Sequence, residues 1–96
     1  MNIRFLEPAR NELDDAFDWY EMEQSGLGRR FLAEIQSALK RITVFPDSCT
    51  LIAPGLRRCL TKRFPYMLVY GIDGGTIIVV AVAHLHRMPH YWQDRL

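Results

Sequence analysis

The chain has 96 residues, 49% apolar and 24% charged, with a net charge of +1. That size and balance suit one folded domain with a modest core, and they exclude a disordered chain or a large enclosed substrate chamber. The small total hides an uneven spread: residues 1–24 hold two arginines against seven acids, and residues 25–96 hold ten cations against four acids.

Residues 2–6 alternate and predict a short first strand. Pro8 suits the first turn of a helix. Ala9, Leu13, Ala16, Phe17 and Tyr20 then recur at helical spacing with acids on the other face. Glu7 and Glu12 come early, where negative charge favours a helix N-terminus. The stretch "SGLG" at residues 25–28 breaks this helix. A second follows with Phe31, Ile35, Leu39 and Ile42 as its stripe, and Pro46 ends it. A break so short predicts an antiparallel helical hairpin over residues 8–45.

Residues 46–55, "PDSCTLIAPG", read as a loop. Three strand-like runs follow at 56–63, 66–72 and 76–86, the last two joined by a Gly74-Gly75 turn. The run "TIIVVAVA" is apolar on both faces, as a central strand covered on both sides would be. Residues 91–96 read as a short C-terminal helix or a tail. The expected architecture is α+β over a single domain, 1–96. An N-terminal strand precedes a helical hairpin that packs on one face of a mainly antiparallel sheet. The hairpin leaves the other sheet face for the C-terminal segment or a partner to cover.

Cys49 and Cys59 show no C-x-x-C pairing and no metal-ligand spacing. The opening residues lack the apolar stretch of a secretory leader, and the run 77–83 is too short to span a membrane. A cytoplasmic protein with free thiols is expected, with no metal and no cofactor.

Two clusters could carry function. Arg57, Arg58, Lys62 and Arg63 lie on or beside one predicted strand, with Arg57 and Arg63 on one face and Arg58 and Lys62 on the other. They suit either an edge strand guarded against aggregation or the recognition of phosphate and carboxylate. His84 and His86 share a face at the end of the apolar strand, and Arg87 follows. Histidines there serve as general acid and base, or simply as hydrogen-bonded residues at a strand end. Trp19 and Tyr20 read as packing residues. From residue chemistry alone, a metal-independent RNA-cleaving domain and a non-catalytic binding module stay open.

Motifs add a resemblance. "FPYMLVY" with a Gly-rich turn, and an apolar strand ending in His84, Arg87, Pro89, Tyr91 and Trp92 (H-x-x-R-x-P-x-Y-W), resemble the RelE/ParE superfamily of bacterial type II toxins, often called plasmid-stabilisation proteins. The opening "EPARNELDDAFDWYE" is similar to the superfamily's A-x-x-[DE]-L-x-x-A-x-x-[WY]-Y pattern. The resemblance covers nearly the whole chain and implies the same β-α-α-β-β-β order. It implies a toxin neutralised by a cognate antitoxin, as a possible homodimer or a toxin–antitoxin hetero-oligomer. Arg57, Arg58, Lys62 and Arg63 would bind the antitoxin or the target. ParE-like members poison DNA gyrase, without catalysis. RelE-like members cleave mRNA on the translating ribosome, in which case His84, His86, Arg87 and Tyr91 would be the catalytic set. Met67 stands where the endonucleases carry an arginine, and the F-P-Y strand start resembles the ParE side. The expected toxin is therefore ParE-like, with the mRNA endonuclease as the alternative.

Overall fold

The computed structural model describes residues 1–95. The order is β1 (Asn2–Phe5), α1 (Glu7–Glu23), α2 (Leu27–Val44), β2 (Thr50–Ala53), β3 (Leu56–Leu60), β4 (Tyr66–Asp73) and β5 (Thr76–His84), closed by a 3-10 turn at Gln93–Arg95. One five-stranded sheet runs β1-β5-β4-β3-β2. Strand β1 pairs parallel with β5 and every other pairing is antiparallel. Strand β5, expected to be central, lies between β1 and β4, away from either edge, while β4 holds the middle of the sheet; the helical hairpin lies on one face.

Helix α1 starts with Pro8 in its first turn, where the missing N–H costs nothing. Gly26 turns the chain at φ +89. The start of α2 has no capping side chain of its own. Glu21 of α1 supplies one: its carboxylate accepts from the N–H groups of Gly26 and Gly28, both at 2.9 Å. Those bonds hold the Glu21 carboxyl below its ordinary pKa. Gly28 is buried because the helices cross there; a Cβ would lie 2.8 Å from the Phe17 carbonyl.

The hairpin buries Ala9, Leu13, Ala16, Phe31, Ile35, Ala38 and Ile42 against Leu68, Tyr70, Ile77, Val79 and Val82 of the sheet. Tyr20, Phe31, Phe64 and Tyr66 form an aromatic cluster at one end, with neighbouring centroids 5.0 to 6.2 Å apart. On the opposite face Leu56, Val69, Val80, Ala81 and Ala83 pack under Trp92, which is 4% exposed. The C-terminal segment therefore covers the face that the hairpin leaves open. Strand β5 serves both cores because Val80 is an extra residue opposite the Val69–Tyr70 step, and this bulge shifts the alternation by one.

Three sequence expectations need correction. The predicted loop 46–55 contains strand β2, an edge strand formed by pairing with β3. The strand expected over 56–63 stops at Leu60, because Thr61 Oγ1 donates to the Phe64 and Tyr66 carbonyls and closes a turn. Lys62 and Arg63 thus leave the strand, Arg63 at φ +69, and Phe64 packs on the hairpin side. The strand expected over 76–86 stops at His84, where Leu85 N–H bonds the Pro65 carbonyl and Arg87 N–H returns to the His84 carbonyl. Of the segment 91–96, expected as a short helix or a tail, Gln93–Arg95 form a 3-10 turn, and Leu96 lies outside the described residues.

Candidate functional site

Strand β1 ends at Phe5 opposite Val79, so the second half of β5 has no strand on that side. Two side chains continue the pairing. Glu12 Oε1 accepts from the Val82 N–H at 3.0 Å, and Arg95 Nη1 donates to the Val80 carbonyl at 3.0 Å. Arg95 also forks onto Glu12, with 2.8 Å from Nη1 to Oε1 and 3.1 Å from Nη2 to Oε2. The Tyr91 hydroxyl donates to Glu12 Oε2 at 2.5 Å, and Arg87 approaches the same oxygen at 3.4 Å. The Glu12 side chain is 13% exposed. One carboxylate thus joins α1, β5 and the C-terminal segment. Sequence reading gave Glu12 only a helix-end role and passed over Arg95. The available signal was position: Glu12 falls between Ala9 and Ala16 on the apolar stripe of α1, where a charge needs a partner.

Around this hub the chain forms two recesses. The outer groove, about 190 Å³, is lined by Ile52, Arg58, Met67, His84, Leu85, Arg87, Pro89, His90, Tyr91 and Trp92. It lies on the face away from the hairpin. The second, about 280 Å³, lies against α1 and includes Glu12, Asp15, Trp19, Tyr66, His84 and Arg87. His84 and Arg87 border both. Trp19, expected to pack, is 59% exposed and forms one wall of the second recess, whereas Tyr20 does pack.

The expected site residues divide as follows. His84, Arg87 and Tyr91 come together with Arg58 in the outer groove. His84 Nδ1 accepts from the His86 N–H at 3.1 Å, which leaves its Nε2 as the protonated nitrogen of the neutral ring. His86 is exposed, its ring 5.3 Å from that of His84. Two guanidinium groups lie over the Tyr91 ring, with Arg87 3.8 Å and Arg95 5.1 Å from its centroid. Burial and the Glu12 carboxylate push the Tyr91 phenol far above its ordinary pKa, so it is a neutral donor and not a base.

The basic cluster is dispersed. Arg57 turns to the hairpin side and donates to the carbonyls of Asp47 at 3.0 Å and Cys49 at 2.7 Å. Arg58 lines the outer groove and also borders, with Lys62, the cavity at the mouth of β2 and β3. Arg63 borders another beside α2 with Glu34 and Phe64. Among the described residues no group of three or more His, Cys, Asp or Glu side chains could hold a metal ion, and no helix is long and apolar enough to cross a membrane.

A two-helix hairpin on a five-stranded sheet, closed by a short C-terminal turn, is a fold with a counterpart among solved structures. A chain of the structure titled "Chromosomal ParDE TA system from P. aeruginosa" shares it with a TM-score of 0.76 at 17% identity, over 90% of this chain and 97% of that one. The model of the ParE toxin of the type II toxin-antitoxin system, parDE, matches residues 3–89, and the chain belongs to that family. It is the toxin component of a type II toxin–antitoxin module. No curated protein matches this chain.

Proposed function

We propose that this toxin acts by contact on DNA gyrase, with no catalytic step of its own, and that a cognate antitoxin neutralises it in the cytoplasm. Family membership carries the reading, and the arrangement of the outer groove supports it. At the groove's sheet wall stands Met67, whose register partners are Leu60 and Ala83. An endonuclease needs a cation there to stabilise the charge that develops on phosphate. Tyr91 and Arg87, which would complete a catalytic set, are engaged by Glu12. Arg58, His84 and His86 remain as contact groups.

The test is to induce the toxin without its antitoxin and follow DNA and messages together, alongside supercoiling by purified gyrase. Loss of supercoiling and broken DNA with intact messages is the expected result. Early cleavage of messages within translated codons, abolished by His84→Ala or His86→Ala, would replace this reading with the mRNA endonuclease.

A further inference from the structure

Cys49 and Cys59 lie ten residues apart in sequence, yet the fold brings both to one cavity. Strand β2 pairs Thr50 with Arg58, antiparallel. Cys49 immediately precedes β2, and that register continued by one rung would bring it opposite Cys59. Directly opposed residues in an antiparallel pair have Cα atoms about 4.5 or 5.5 Å apart, both within the range a disulfide spans. Both thiols are free and they interact: each lies on the hairpin side, and the Cys49 thiol is among the groups that raise the Cys59 pKa, after burial itself.

The two are not equally accessible. Cys59 is 5% exposed, and Cys49 is more open. Both border a cavity of about 400 Å³ with Arg41, Thr50, Arg58, Leu60, Thr61 and Lys62. The two cysteines thus line a recess wide enough for a small molecule, with three cations among its other lining residues. Arg41 reaches within 3.8 Å of the Cys59 sulfur while its guanidinium holds the Leu60 carbonyl at 2.8 Å. No part of the proposed toxin action uses the two thiols.

We infer that Cys49 and Cys59 form a thiol–disulfide exchange site for a small anionic disulfide of the glutathione class, closing to a cross-strand disulfide. The Cys49 thiolate attacks one sulfur of glutathione disulfide, forms a mixed disulfide and expels one glutathione thiolate. The Cys59 thiolate then attacks the Cys49 sulfur and expels the second glutathione. The pair loses two electrons and two protons; glutathione disulfide gains them as two glutathione thiols. Cys49 goes first because it is the more open of the two. Cys59 follows because it is buried, out of reach of the incoming disulfide, and meets an electrophilic sulfur only once Cys49 carries the mixed disulfide. Arg41, Arg58 and Lys62 draw in the carboxylates of the incoming disulfide. The product ties the start of edge strand β2 to β3, and thiol reductants reverse it.

The experiment equilibrates the purified chain with excess glutathione disulfide, quenches, alkylates under denaturing conditions and measures intact mass. The expected product has lost two hydrogen atoms, takes up no alkylating agent and yields one peptide pair joining Cys49 to Cys59. Cys59→Ser should stop at a glutathione adduct on Cys49. The double variant Arg58→Ala, Lys62→Ala should react several-fold more slowly with glutathione disulfide but not with the uncharged hydroxyethyl disulfide. The inference is overturned if both wild-type thiols stay alkylatable, if the wild-type chain stops at the Cys49 adduct, or if the disulfide joins two copies. The wild-type measurement decides alone should a variant fail to fold.

Discussion

Glu12 places a carboxylate inside the apolar stripe of α1, and its four partners come from β5 and the C-terminal segment. Removing it leaves the Arg95 guanidinium, 16% exposed, without its charge partner and strands the Val82 N–H and the Tyr91 hydroxyl. Glu12→Ala should therefore cost about 3–5 kcal/mol, the range for breaking a buried ion pair from one side. Glu12→Gln keeps an acceptor and should cost less, about 1–3 kcal/mol. Urea unfolding of both variants checks the order; equal losses would show that packing, not charge, holds the hub. Tyr91 adds a pH dependence. Its folded pKa is raised, so the unfolded chain ionises first, and stability falls as pH climbs past the ordinary value of 10.0. Tyr70, also raised by burial, contributes in the same direction. Tyr91→Phe should lower stability at neutral pH and flatten, without abolishing, the alkaline decline in the urea midpoint.

At the scale of elements, the hairpin depends on a close crossing. Gly28→Ala gains helix propensity worth about 1 kcal/mol. Its methyl group would meet the Phe17 carbonyl at 2.8 Å and the Glu21 carboxylate at 2.9 Å, and the first is backbone that cannot move aside. The clash should win, with a net loss of about 1–3 kcal/mol in thermal or urea unfolding; a neutral or stabilised variant would refute the tight crossing. Glu21, which caps α2 from α1, has a lowered pKa. Its contribution is present above the ordinary carboxylate value of 4.5 and fades as pH falls through the folded value. Both helices were legible, because Leu13, Phe31 and Ile35 recur with the helical period, and so was the interior place of β5. Strand β2 was not legible: four residues between Cys49 and Pro54 carry little periodicity, and only pairing with β3 makes them a strand. The ends of β3 and β5 were overrun because period-two patterns continue through Lys62 and His86, while the turns that stop them rest on bonds from Thr61 and to Pro65. Glu12 and Arg95 stayed hidden for a related reason. They meet across 83 residues, at a gap created by the early end of β1.

For the whole molecule, the acids of α1 and the cations of the sheet end occupy different elements, and the cations do not act as one patch. Arg57 holds the loop after α2 by its bonds to the Asp47 and Cys49 carbonyls. Arg58 and Lys62 are exposed and lie beside one another at a single cavity. An acidic antitoxin segment that orders on binding would find its charge partners there. Reversing the two exposed charges, Arg58→Glu with Lys62→Glu, should weaken the complex with the cognate antitoxin by roughly tenfold or more and flatten its dependence on salt. The fold should hold, since neither side chain is buried. Arg57→Glu should do the opposite. It places a carboxylate against two carbonyl oxygens, so stability should fall by about 1–3 kcal/mol while the salt dependence of binding in the surviving folded fraction stays as it was. Titration calorimetry at two salt concentrations, with unfolding curves for each variant, separates the cases. An unchanged affinity after the double reversal would move the antitoxin contact away from the β2–β3 mouth, to the exposed face of α1 around Trp19.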